Sequence, residues 1–104
     1  ILISDEKGEN RIELKTEAGE MQIRAASKLK VQVGDKVSIV MNGENGGVTI
    51  ECNKLKVKAQ DAIDMNSNAK GKFSAANLTL SASTALKAES GGTVQISGTP
   101  ISIG

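Results

Sequence analysis

Val48-Thr49-Ile50-Glu51-Cys52-Asn53-Lys54-Leu55-Lys56-Val57-Lys58-Ala59 is the stretch that decides the fold. Apolar residues stand at every second position, first at 48, 50 and 52 and then at 55, 57 and 59. Thr49, Glu51, Lys56 and Lys58 fill the places between. A spacing of two is the strand period, which sends successive side chains to opposite faces of a sheet. Both groups therefore read as short strands with one dry face and one wet face, joined by a two-residue link at Asn53-Lys54.

The same pattern extends in both directions. Upstream lie Ile12/Leu14, Met21/Ile23/Ala25, Leu29/Val31/Val33 and Val37/Ile39/Met41, and downstream lies Ile63/Met65. After a stretch of small residues holding Phe73 and Ala75 come Leu78/Leu80/Ala82, Leu86/Ala88, Val94/Ile96 and Ile101/Ile103. Val40 is the one apolar residue among the intervening positions. A helix fails this pattern, since Met21 and Ile23 would sit roughly 200° apart around its axis. The groups start at 12, 21, 29, 37, 48, 55, 63, 78, 86, 94 and 101, an octad repeat interrupted by the Asn- and Gly-rich insertion 42–47. Such a loop has the chemistry of a surface turn.

Short strands with three-residue links build one of two objects. Hairpins would reverse the chain at each link and call for glycine in a left-handed conformation. The links Ala26-Ser27-Lys28, Asn53-Lys54 and Gln60-Asp61-Ala62 contain none, and only 42–47 has hairpin chemistry. The alternative turns a corner at each link, so that successive strands lie on successive faces of a prism. A single-chain solenoid uses about 20 residues or more per coil, and an octad is short for that. Three chains wound about one axis meet the requirement, each supplying one side of a triangle per level. The small inward residues Ala25, Ala59, Ala75, Ala82 and Ala88 suit a cramped axis. The predicted fold is all-β, an intertwined homotrimeric triple-stranded β-helix, or β-prism, with octad repeats.

Composition agrees with a narrow core. The 104 residues include a single aromatic, Phe73, and 11 glycines, whereas compact cores lean on the large buried area of aromatic rings. Thirteen basic and 12 acidic residues give a formal charge of +1 with interspersed signs, which argues against a nucleic-acid binder or a polybasic membrane anchor. The opening at Ile1, polar and patterned from the start, reads as a cut from a longer protein and not as a signal peptide. No apolar run approaches the roughly 20 residues of a spanning helix.

The absence of His excludes Ser-His-Asp and Cys-His nucleophiles, and one Cys without His makes a zinc site a poor fit. The chain is expected to be no enzyme and to hold no cofactor or metal. Cys52 falls in the inward phase and reads as a small buried hydrophobe, the alternative being an interchain thiol cluster near a trimer axis. Asp5-Glu6 with Glu9, and Glu17 with Glu20, are carboxylate groups where strand periodicity is weak. They read as solvated loop charge, since acid/base pairs need a walled pocket. Asn45-Gly46-Gly47 reads as turn chemistry and not as a phosphate cradle.

The octads resemble the triple-stranded β-helix of phage tail spikes and of VgrG, the type VI secretion spike. The opening Ile3-Ser4-Asp5-Glu6-Lys7-Gly8-Glu9-Asn10-Arg11-Ile12-Glu13-Leu14-Lys15-Thr16-Glu17 looks like the VgrG segment that follows an OB-fold domain and enters the needle. The closing Val94-Gln95-Ile96-Ser97-Gly98-Thr99-Pro100-Ile101-Ser102-Ile103-Gly104 is similar to a VgrG C-terminus that ends in a flat trimeric platform. The resemblance implies one needle domain, 1–104, with an entry segment 1–20, octad strands 21–97 and a blunt tip 98–104.

It further implies a membrane-piercing spike of a contractile injection machine. The spike would be assembled in the bacterial cytoplasm or on a phage-like particle and then injected into a target cell. Partners expected from the family are two further copies of the chain, an N-terminal OB-fold hub of the same chain, and a PAAR-repeat tip protein. The tip protein would dock at Gly98, Thr99, Pro100, Ile101, Ser102, Ile103 and Gly104. Some short phage spikes form their apex with iron-binding histidines; a His-free chain cannot, which favours a separate tip protein. Pro100 also has an ordinary reading, as a corner residue where no ladder donor is needed. The rival architectures are a single-chain β-solenoid of a bacterial filament or adhesin, and an enzyme or ligand-binding β-sandwich with a concave pocket.

Overall fold

The computed structural model describes residues 1–104 and contains no helix. Its strands are β1 (Leu2–Ser4), β2 (Arg11–Lys15), β3 (Glu20–Arg24), β4 (Lys28–Val33), β5 (Val37–Asn42) and β6 (Gly47–Glu51). They form two three-stranded sheets, β1-β2-β3 and β4-β5-β6, antiparallel throughout. The all-β expectation holds. The chain divides into two compact units, Ile1–Ala62 and Ile63–Gly104, and both sheets belong to the first.

The links in the first unit differ from the corners expected of a prism. The chain reverses after β1, β2, β4 and β5, giving a meander in each sheet. The three-residue link Gly34-Asp35-Lys36 shows why. Gly34 has φ 57°, a left-handed conformation that glycine enters without the Cβ clash other residues meet. Gly19, at φ 64°, has the same role between β2 and β3. The glycine-free links at 26–28, 53–54 and 60–62 suggest corners, but these two glycines lie in links that reverse the chain. A left-handed residue beside a strand end re-aims the chain for the antiparallel return.

The strand phase, by contrast, matches the alternation residue by residue. Ile12 stands opposite Ile23, and Leu14 opposite Met21. Leu29 pairs with Met41, Val31 with Ile39 and Val33 with Val37, while Ile39 and Met41 face Ile50 and Val48 on their other side. Directly opposed residues share a face, so each sheet has one apolar side. The polar side carries pairs such as Glu13 with Gln22 and Gln32 with Ser38. A slip of one residue would set every apolar side chain on the wrong face, which pins the register.

From Asn53 to Gly104 every residue is exposed, and none belongs to a hydrogen-bonded strand. This segment makes no backbone–backbone hydrogen bond within the chain. Its internal bonds are short-range: Ala69 N–H to Ser67 Oγ at 3.3 Å and Gly92 N–H to Ser90 Oγ at 3.1 Å. An exposed ion pair joins Lys87 Nζ and Glu89 Oε2 at 3.3 Å.

Candidate functional site

The alternating pattern leaves apolar side chains on each sheet and along 53–104 exposed. No hydrophobic residue is buried anywhere in the molecule. On the sheets, Ile23 is 55% and Val48 67% exposed although both sit in well-registered cross-strand pairs. In the 53–104 segment Leu55, Val57, Ile63, Met65, Leu78, Leu80 and Ile96 are all exposed. Soluble monomers rarely leave apolar surface of this extent open, and such surface marks an interaction site.

The C-terminal residues singled out from the sequence share this character. Gly98 through Gly104 are exposed and lie outside any strand. A Cβ on Gly98 would come within 3.5 Å of Ile101 Cγ1 and of the Pro100 carbonyl oxygen, so the segment folds back on itself there. Ile103, at 93% exposure, projects almost free of the chain.

The carboxylates near the N-terminus serve local structure. Asp5 Oδ1 accepts the Glu9 N–H at 3.0 Å and Oδ2 accepts from Asn10 Nδ2 at 2.7 Å. The Asn10 side-chain bond, with further help from backbone N–H groups of the loop, holds the Asp5 carboxyl below its ordinary range. Glu20 accepts from Gln22 Nε2 at 3.3 Å. On the polar side of the first sheet the Arg11 guanidinium donates to Gln22 Oε1 at 2.8 Å and lies 3.8 Å from Glu13 Oε2. These arrangements tie adjacent strands and loops.

Asn10, which no motif in the sequence marks, has the widest reach of the polar side chains. Its Nδ2 closes the 5–10 loop, and its Oδ1 takes the Ala26 N–H at 2.8 Å, on the link that leads to β4. Its turn chemistry with Asp5 is legible locally, but the bond to Ala26, sixteen positions away, has no local sequence signal. The expected turn chemistry at 42–47 is present, with Asn45 Oδ1 accepting the Gly47 N–H at 2.9 Å.

An open cleft of about 490 Å³ is lined by Ile3, Ile12, Ile23, Ala25 and Leu29, with Asp5, Asn10, Arg11 and Arg24 at its polar margin. Its volume falls in the range of small-molecule sites. Its walls are open to solvent, with Ile3 62% and Ile12 42% exposed. Asp5 and Asn10 are already bonded to each other. Cys52 is a free, half-buried thiol, and no group of three or more His, Cys, Asp or Glu side chains is placed to hold a metal ion. What the molecule offers chemically is an apolar strand face and exposed backbone, which together recognise another strand. The chain matches no family model, no curated protein and no solved structure.

Proposed function

We propose that residues 53–104 form one strand of an intertwined homotrimeric β-helix, the needle of a contractile-injection spike that pierces membranes. One observation carries this reading. The alternating apolar side chains run from Leu55 to Ile103 over a backbone that makes no backbone–backbone hydrogen bond within its own chain. Backbone N–H and C=O groups that leave water need partners, and each large apolar side chain that becomes buried contributes about 1.5–3 kcal/mol. Two further copies of the same segment supply both, because the repeat matches itself at every level. Full closure around the axis also leaves no lateral edge for uncontrolled pairing.

The intertwined part is narrower than the octads alone implied. The antiparallel meanders of β1–β6 satisfy their own ladders, so the wound portion is assigned to 53–104, and 1–51 is a separate antiparallel portion of the spike. Lys54, Lys56 and Lys58 fall on the polar side of the alternation and keep the needle's exterior hydrophilic, which suits passage through a bilayer and not residence in it. At the far end, Gly98, Thr99, Pro100, Ile101, Ser102, Ile103 and Gly104 form the platform for a PAAR-repeat tip protein.

Sedimentation equilibrium at micromolar concentration tests the assembly. A species of three times 10.8 kDa is expected, and a stable monomer overturns the reading. Loss of tip-protein capture on removing 98–104 from a trimer that still forms tests the platform separately.

A further inference from the structure

We infer that Asn45 is a site of spontaneous backbone-directed modification, converting to aspartate and isoaspartate through a cyclic imide, while the chemically identical pair Asn42-Gly43 is protected by the fold. The sequence holds two Asn-Gly pairs three residues apart in one turn, Asn42-Gly43 and Asn45-Gly46. In both, a glycine follows the asparagine, so no side chain obstructs approach of the glycine nitrogen to the asparagine amide carbon. Sequence alone does not separate them. Their hydrogen bonds do.

The Gly43 N–H donates to the Ser27 carbonyl at 2.7 Å, extending the β4–β5 ladder by one bond beyond the Lys28–Asn42 pair. Asn42 itself is half-buried, the last residue of β5, and its Oδ1 accepts the Glu44 N–H at 3.0 Å. The Gly46 N–H makes no hydrogen bond within the chain, and Asn45 and Gly46 are both exposed. Gly46 lies in a turn at φ 71° and not in a strand.

The reaction begins when the glycine nitrogen loses its proton and attacks Cγ of the preceding asparagine. A bond forms between Gly46 N and Asn45 Cγ. The side-chain nitrogen then leaves as ammonia, carrying the proton that Gly46 gave up. Water, the one co-reactant, opens the five-membered imide at either carbonyl, giving aspartate or a backbone rerouted through the side chain as isoaspartate. No electron is gained or lost.

Two features favour Asn45. Its nucleophile is free, whereas the Gly43 nitrogen must first give up the bond to Ser27. A net hydrogen bond is worth roughly 0.5–1.5 kcal/mol, which corresponds to about a two- to tenfold difference in rate. Asn45 and Gly46 are also both exposed whereas Asn42 is half-buried, and the amide two residues on that bonds each Oδ1, Glu44 at Asn42 and Gly47 at Asn45, acts alike at the two sites. Each event adds one carboxylate to a chain of net charge +1. The isoaspartate product lengthens the β5–β6 connection by one methylene beside the terminal Asn42–Gly47 pair.

The test is incubation of the folded chain in mildly alkaline buffer, followed by proteolysis and fragment-ion mass spectrometry of the peptide between Lys36 and Lys54. Released ammonia is measured in parallel. The expected result is conversion at Asn45 at least severalfold faster than at Asn42, and similar rates for the two sites when the same chain is unfolded in urea. Asn45→Gln should remove most of the ammonia release from the folded chain. Equal rates at both sites in the folded chain, or no conversion at Asn45 where the unfolded chain reacts, overturns the inference.

Discussion

Asn10 and Ala26 are sixteen positions apart, yet Asn10 Oδ1 accepts the Ala26 N–H at 2.8 Å. The bond pins the loop that precedes β2 to the link that follows β3, and the same side chain closes the loop through Asp5 at 2.7 Å. One residue thus fixes both the entrance and the exit of the first sheet's central hairpin. Neither bond is part of a strand ladder, so both depend on this side chain alone.

Asn10→Ala is expected to destabilise the first unit by about 1–2 kcal/mol, the loss of two modest hydrogen bonds in an exposed setting. For a domain of this size that lowers the melting midpoint by roughly 4–16 °C. The oligomeric mass should be unchanged. A midpoint equal to that of the parent would mean that the clasp contributes nothing.

Asp5 gives the loop an acid limit. The Asn10 side-chain bond holds its folded-state carboxyl below the ordinary value of about 3.9. A group depressed on folding stabilises the native state above its unfolded-state value. That contribution is lost as the pH falls through the lower folded-state value. Stability measured from about pH 5 downward should therefore decline less steeply in Asp5→Asn than in the parent chain. Parallel declines would remove Asp5 from the account.

Gly34→Ala isolates the turn conformation. Nothing lies within 4 Å of the Cβ it would add, so the cost comes from the positive φ alone, about 1–2 kcal/mol. Gly71→Ala, also in open space but without a positive φ, is expected to leave the melting midpoint unchanged within about 0.5 kcal/mol. Comparable losses in the two variants would show that the hairpin does not depend on Gly34's conformation.

Val57→Asp and Lys58→Asp test the proposed trimer with adjacent residues. The alternation sends them to opposite sides. In an intertwined needle the first change brings three carboxylates close to one axis, at a cost of several kcal/mol, and the second leaves them in water. Val57→Asp should abolish the trimeric species in sedimentation while Lys58→Asp retains it. Identical behaviour would show that the strand phase from 55 to 59 has no bearing on assembly.

Read alone, the sequence determined which side chains share a face and, between residues 11 and 51, where the strands lie; β1 lies outside the alternating groups, and the strands expected from 55 to 103 do not form within the chain. That Val31 and Ile39, or Leu14 and Met21, lie on the apolar face follows from a two-residue period, because pleating sends alternate side chains to one side whatever the strand pairs with; that they stand opposite each other does not. The turn at Asn45 was equally legible from its side-chain chemistry. The direction of the chain after each strand was decided only in three dimensions. An octad spacing fits a corner and a reversal equally well, and glycine content does not choose between them. Gly34 takes a positive φ and reverses the chain, whereas Gly91 and Gly92 do not take one. Whether a strand finds a partner in its own chain depends on where that link aims it, and on two distant segments meeting in register. That is why residues 2–51 pair with themselves while 53–104, with the same alternation, do not.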